Sequence, residues 1–208
     1  MRIVVLGATG RTGQALVAQG LARGHAITAF GRKAPTDQPR ADLRVLVGDP
    51  MRVDELSAAL RGHDTVLSAL GTRGLGASSV LVDGARATIA AMERMSVSRL
   101  VIISSSLVEP RSGWMPRIAG WTPLRHAAAD QRAMEALVNA SDRDWTIVRP
   151  ARLANGALTG RYSASPASAG IPSSNAWMTP ADVAHMMLDT VERGSYVKET
   201  VWLRGART

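Results

Sequence analysis

Three glycines at positions 7, 10 and 13 follow directly on a short apolar run, Arg2-Ile3-Val4-Val5-Leu6, and lead into an amphipathic stretch, Gln14 to Arg23. An unbroken apolar run of that length is the pattern of a strand buried on both faces, and such strands belong to parallel sheets covered by helices. Parallel strands need a crossover, and the crossover is right-handed. A glycine loop at the first strand-to-helix turn therefore leaves few folds open. Gly7 permits the tight turn, Gly10 lets a ligand approach the backbone with no Cβ in the way, and Gly13 lets the helix sit close to the sheet. The free amides at the start of that helix attract an anion, and this spacing suits a dinucleotide diphosphate.

The same alternation runs through most of the chain. Leu16, Val17 and Leu21 give the first helix its inward side, Gly24 ends it, and His25 to Phe30 reads as a second strand. Leu43 to Val47, Thr65 to Leu70, Leu100 to Ile103 and Trp145 to Val148 are further strands, the last ending at Arg149-Pro150. Between them Val53 to Leu60, Ser79 to Met95 and Ala127 to Asn139 read as helices. In the second of these Leu81, Ala85, Thr88, Met92 and Met95 form one inward stripe. Thr179-Pro180-Ala181-Asp182 starts a last helix, with a hydroxyl cap and a proline in the first turn, that continues through Val183 to Val191. The expectation is an α/β doubly wound parallel sheet, a Rossmann fold with helices on both faces, forming one domain over residues 1–208. Glu109 to Trp121 and Ser163 to Asn175 break the alternation and read as loops over the carboxyl ends of the strands, either plain connections or walls of a substrate site.

Composition narrows the partners. The formal charge is +8, yet the 25 basic residues include only two lysines, Lys33 and Lys198, and the arginines are scattered singly rather than in a stripe. That argues against nucleic acid and for an anionic small ligand. There is no cysteine, which excludes disulfides, thiolate metal sites and a cysteine nucleophile. No apolar run approaches membrane-spanning length, and Met1 to Leu6 lacks the features of a signal peptide, so a soluble cytoplasmic protein, a monomer or weak homo-oligomer, is expected.

The coenzyme is read at the end of the second strand, where a carboxylate would accept from an adenosine ribose and a cation would meet a 2′-phosphate. The sequence there is Phe30-Gly31-Arg32-Lys33, so NADP(H) is favoured over NAD(H), with Arg11 in the glycine loop as a second cation. Asp49-Pro50 after the third strand and Leu70-Gly71-Thr72-Arg73 after the fourth supply the adenine and ribose side of the same rim, although Asp49 could equally cap the helix that follows it. The expected coenzyme contacts are thus Gly7, Thr9, Gly10, Arg11, Thr12, Gly13, Arg32, Asp49, Pro50, Leu70, Gly71, Thr72 and Arg73, joined by Ser104, Pro150 and Ala151 at the far end.

Gly7-Ala8-Thr9-Gly10-Arg11-Thr12-Gly13 with Gly48-Asp49 resembles the atypical short-chain dehydrogenase/reductase group, the NmrA-like NAD(P)H-binding proteins. Gly71-Thr72-Arg73, the string Val80 to Met92 and Leu158-Thr159-Gly160 with Tyr162 are together similar to its flavin reductase (biliverdin IXβ reductase) branch. The resemblance implies an NADPH-dependent reductase in which a flat conjugated acceptor takes hydride directly. It also implies that Ser105, in the Ser104-Ser105-Ser106 run, lies beside the nicotinamide and the substrate, and that backbone groups at Arg149-Pro150 meet the carboxamide.

Two departures matter. The Tyr-x-x-x-Lys pair of the wider superfamily has no counterpart, since Ala127 to Asn139 contains neither residue and Tyr196-Val197-Lys198 has the wrong spacing. The branch's substrate-side histidines are also missing: Arg152 stands for one, and the other falls near Asp130-Gln131, with His126 the only histidine nearby. An arginine cannot give up a proton at neutral pH but can hold a carboxylate, a phosphate or developing negative charge. Ser105 and Arg152 are the expected catalytic pair, acting on a planar anionic substrate with Trp114, Trp121 and Trp177 as candidate stacking walls. His25, His63 and His185 read as structural, and no metal spacing exists. Two further readings stay open: a regulatory protein that senses NADP(H) without turnover, and a biosynthetic reductase with one dedicated substrate.

Overall fold

The computed structural model describes residues 1–33, 41–71, 79–108, 124–170 and 177–206. Its centre is an eight-stranded sheet of β1 (Arg2–Leu6), β2 (Ala26–Gly31), β3 (Leu43–Val47), β4 (Thr65–Ser68), β5 (Arg99–Ile103), β6 (Asp144–Pro150), β7 (Tyr162–Pro166) and β8 (Glu199–Gly205). The order is β3-β2-β1-β4-β5-β6-β8-β7, with every pairing parallel except β7 against β8. The described helices are α1 (Arg11–Ala22), α2 (Val53–Leu60), α3 (Val80–Arg94), α4 (Leu124–Asn139) and α5 (Pro180–Glu192).

The unbroken apolar run of β1 is explained by what covers it. Ile3 and Val5 pack with Leu16 and Val17 of α1 and Met187 and Leu188 of α5, whereas Val4 and Leu6 pack with Leu56 of α2, Met92 of α3 and Met134 of α4. One strand thus feeds two cores, as period-two alternation requires. The chain builds β2 and β3 on one side of β1 and returns to lay β4 on the other, so strand order reverses between β1 and β4. In an open α/β sheet the crevice at the carboxyl ends of such a pair is where ligands bind.

Three buried carboxylates fix the surroundings of that rim. Asp182 of α5 accepts from the backbone N–H of Thr159 and Gly160 at 2.8 and 3.0 Å and from the Thr179 hydroxyl at 2.9 Å, while its own N–H donates to Thr179 Oγ1 at 3.0 Å. The Thr179 cap is therefore a full capping box that also pins the Leu158-Thr159-Gly160 turn. Burial alone would raise the Asp182 carboxyl, but the Thr159 and Gly160 amides and the threonine hydroxyls outweigh it and hold it below its ordinary value. Asp130 of α4 accepts from the N–H groups of Leu81 and Val82, both at 3.2 Å, and so caps α3 from outside. Glu135 of α4 takes the Arg149 guanidinium at 3.0 and 2.6 Å in a buried two-point pair, and Trp202 lies 5.1 Å from the same guanidinium.

Two expectations need correction. Ser163 to Asn175 is not a loop throughout: Tyr162–Pro166 is an edge strand paired antiparallel to β8, followed by a 3-10 turn at Ala167–Ala169. Its small residues carry little hydrophobic signal, and it is inserted between β6 and α5 instead of following a helix. Asp49 does not cap α2, whose N-cap is Arg52; its Oδ1 accepts from Met51 N–H at 3.1 Å in a local turn. Element ends also move slightly, with α1 starting at Arg11 and β2 ending at Gly31. The Glu109 to Trp121 segment lies outside the described residues.

Candidate coenzyme and substrate site

The glycine loop is shaped by contacts as much as by turn geometry. Gly7 has φ +74°, and a methyl group there would lie 2.5 Å from the Ala69 carbonyl oxygen, so the end of β1 sits directly against the end of β4. A methyl on Gly13 would lie 2.1 Å from the Gly7 carbonyl oxygen. Gly10 differs: it is exposed, with φ −77°, and a methyl would meet only the Gly7 oxygen, at 3.3 Å. Its missing side chain leaves the approach to α1 open. That helix has no side-chain cap and no acidic residue in its first turn, and Arg11 is its first residue. Its uncompensated positive end suits an anion. Arg11 Nη1 donates to Asn155 Oδ1, across from the loop that follows β6. Thr9 is exposed and Thr12 half-buried.

On the side expected to hold the adenosine, Arg32 and Lys33 stand at the end of β2, exposed and with no ion pair among the described residues. Gly48 N–H donates to the Gly31 carbonyl at 3.0 Å, bringing the end of β3 alongside. There Asp49 is half-buried and Pro50 buried, and the Asp49 N–H donates to Glu55 Oε2 at 2.8 Å. Leu70 is half-buried and Gly71 exposed at the end of β4, whereas Thr72 and Arg73 lie outside the described residues.

At the far end β5 delivers two serines of different character. Ser104 is 4% exposed and its Oγ has no hydrogen-bond partner, as is true of Ser68, which pairs with Ile102 on the neighbouring strand and faces the same side. Buried hydroxyls without partners are uncommon and cost stability. Ser105 is half-buried at the rim. Pro150 is buried, and Ala151 N–H donates to Leu203 O at 2.7 Å. Arg152 is exposed, and Trp177, itself 58% exposed, lies 5.5 Å from its guanidinium. The loop is braced by a Leu153–Met178 bridge, with Met178 N–H to Arg152 O at 3.1 Å and Ala154 N–H to Met178 O at 2.9 Å. Trp114 and Trp121 lie outside the described residues.

His25, His63, His185 and Tyr162 have structural partners. His25 Nε2 is 2.7 Å from Glu192, His63 Nε2 is 2.8 Å from Thr28 Oγ1, and His185 Nδ1 is 2.6 Å from the Tyr162 hydroxyl. Burial, with help from Asp189, pushes the Tyr162 hydroxyl up to about 12, so it does not ionise near neutrality. Tyr196 caps the other end of the molecule, where its carbonyl accepts from Thr146 Oγ1 at 2.7 Å. Asp130, near one of the family's histidine positions, is occupied in capping α3, and His126 is exposed. Among the described residues no His, Cys, Asp and Glu cluster could hold a metal ion, and no helix is long and apolar enough to cross a membrane. Asn155, Glu135 and Ser68 escaped the sequence reading, because a loop asparagine, a helix glutamate and a strand serine carry no spacing signal of their own.

Sheet order, crevice and glycine loop define a doubly wound dinucleotide-binding fold of Rossmann type. The chain belongs to the NAD(P)H-binding family, whose model matches residues 7–193. It is 28% identical over 179 residues to YhfK of Bacillus subtilis, named an uncharacterized sugar epimerase, covering 79% of this chain and 78% of that one. The oxidoreductase ylbE of Lactococcus lactis superimposes with a TM-score of 0.83 at 20% identity, covering 100% of this chain and 92% of that one. ChuY, an anaerobillin reductase of Escherichia coli O157:H7, gives 0.79 at 20% identity, covering 100% and 98%. At those identities the two structures share the fold, in keeping with the atypical short-chain dehydrogenase/reductase resemblance.

Proposed function

We propose that the chain is an NADPH-dependent reductase that passes hydride to a planar, conjugated, anionic small molecule of flavin or bilin type. The observation that carries the reading is the Arg152–Trp177 pair at the carboxyl end of β6, a flat cationic platform on a braced loop. It stands next to the strand end that presents Ser105, and ChuY, which shares the fold, is named an anaerobillin reductase. The residues of the glycine loop fit a dinucleotide, because the exposed Gly10 leaves the uncapped end of α1 open to a diphosphate.

When bound, the nicotinamide supplies the hydride, two electrons and one hydrogen nucleus, and leaves as the oxidised coenzyme. Arg32 takes the 2′-phosphate and so selects NADPH over NADH. Ser105 orients the acceptor by a hydrogen bond, and Arg152 holds the negative charge that the acceptor carries or gains. Arg152 cannot be the proton source and α4 contains no tyrosine or lysine; the reading assigns the proton that completes reduction to water. Catalysis would then be mainly proximity, with Ser105 and Arg152 orienting the acceptor for a bound nicotinamide that would supply the hydride. The absence of that acid pair also favours the other reading, a sensor of NADP(H) state, which differs in binding coenzyme without turning over.

The test is NADPH oxidation on addition of FMN, FAD, biliverdin or a quinone. Turnover with an anionic acceptor, reduced mainly through KM by R152A and through kcat by S105A, supports the reading. Tight NADPH binding with no turnover on any of them transfers the conclusion to the sensor.

A further inference from the structure

We propose that Asn155 is a positioning residue for coenzyme binding, holding the Arg11 guanidinium beside the diphosphate without cancelling its charge; this rests on the coenzyme reading above. Arg11 is a cation at the positive end of a helix, where a cation is disfavoured, and the first turn of α1 offers no acidic residue to offset it. Among the described residues it makes no ion pair, and its partner is the neutral amide oxygen of Asn155, 144 residues away. Three other exposed arginines, Arg2, Arg86 and Arg94, are held by carboxylates: Asp64, Asp83 and Asp54. A carboxylate at position 155 would give Arg11 a stronger tether but would compete with phosphate for it. An amide fixes the direction of the fork and leaves both its charge and most of its five N–H donors for an anion.

Asn155 is itself well placed for this task. The preceding residue is bonded to Met178, and a methyl on the following Gly156 would lie 2.9 Å from Thr179 Cγ2, so the asparagine backbone is seated against the start of α5. Thr179 is in turn locked to Asp182. The loop after β6 and the start of α1 thereby meet through the Arg11–Asn155 hydrogen bond, which joins the glycine-loop end of the site to the platform at Arg152 and Trp177.

The experiment is a calorimetric titration of NADPH into the full chain and four variants: N155A, N155D, R11A and N155A with R11A. The expected result is an affinity loss of about threefold in N155A and about tenfold in R11A, with the double variant no weaker than R11A alone. N155D should melt no lower than the unaltered protein and yet bind NADPH about tenfold more weakly, a split that a purely structural hydrogen bond does not produce. The inference is overturned by full NADPH affinity in N155A or N155D, or by losses that simply multiply in the double variant. If the unaltered chain binds neither coenzyme, the coenzyme reading itself fails and this inference falls with it.

Discussion

Two alanine substitutions only three residues apart in sequence, at Gly10 and Gly13, separate folding from binding in the glycine loop. At Gly10 the backbone sits at φ −77°, ψ 162°, which alanine adopts freely, and the added methyl meets only the Gly7 oxygen at 3.3 Å. Alanine is a poorer N-cap than glycine by about 1 kcal/mol, while the less flexible unfolded chain returns about 0.4–1 kcal/mol. G10A should therefore melt within about 4 °C of the unaltered protein. Its methyl stands in the approach to the α1 amides, so losing one hydrogen bond to a charged phosphate, about 1.5–3 kcal/mol, weakens NADPH at least about tenfold. At Gly13 the methyl would lie 2.1 Å from the Gly7 oxygen and 2.7 Å from its carbon, both backbone atoms that must move. G13A should cost about 3 kcal/mol, or roughly 6–12 °C for a chain of this size. Thermal melts by circular dichroism and calorimetric NADPH titrations read the two effects separately. A G10A protein that binds NADPH normally, or a G13A protein that melts normally, would refute the assignment of roles.

Other sites give independent checks. E135Q removes the countercharge of buried Arg149 and should destabilise by about 3–5 kcal/mol in urea unfolding, while E135M with R149M recovers much of that loss; a difference below about 1 kcal/mol for E135Q would show that the pair is not needed. Because the folded Asp182 carboxyl titrates below its ordinary value of 3.8, its stabilisation is present above that pH and is lost as pH falls through the folded value. D182N should thus be less stable at pH 7 by about 2 kcal/mol, and the gap should shrink below about pH 4; a gap independent of pH would contradict the charge argument. R32A should weaken NADPH about tenfold and leave NADH nearly unchanged, and equal losses for both coenzymes would remove Arg32 from the 2′-phosphate site.

The glycine loop and the parallel half of the sheet are legible in the sequence because their causes are local. A buried run, a glycine turn and an amphipathic helix each announce themselves within a dozen residues, and Gly24 and Gly62 end their helices with φ +78° and +73°. The β7–β8 ribbon is not legible in that way. Tyr162–Pro166 gains its strand character from antiparallel pairing with Glu199–Gly205, more than thirty residues on, and its small, polar run gives no local sign of a strand. At the site, the shape of the glycine loop is legible in its glycine spacing, whereas Arg149 shows the limit. Its place at the end of β6 was expected at the rim, but its side chain turns inward to Glu135, a partner that only the packing of α4 reveals. Asn155 is the same kind of case, since the loop after β6 meets the glycine loop only once α1 and α5 lie side by side.

The most direct test is a calorimetric titration of the purified protein with NADPH and, separately, with NADH. One NADPH bound per chain, more tightly than NADH, is the result that an open glycine cradle and the exposed guanidinium of Arg32 predict. No heat with either coenzyme, or tighter binding of NADH, would contradict it.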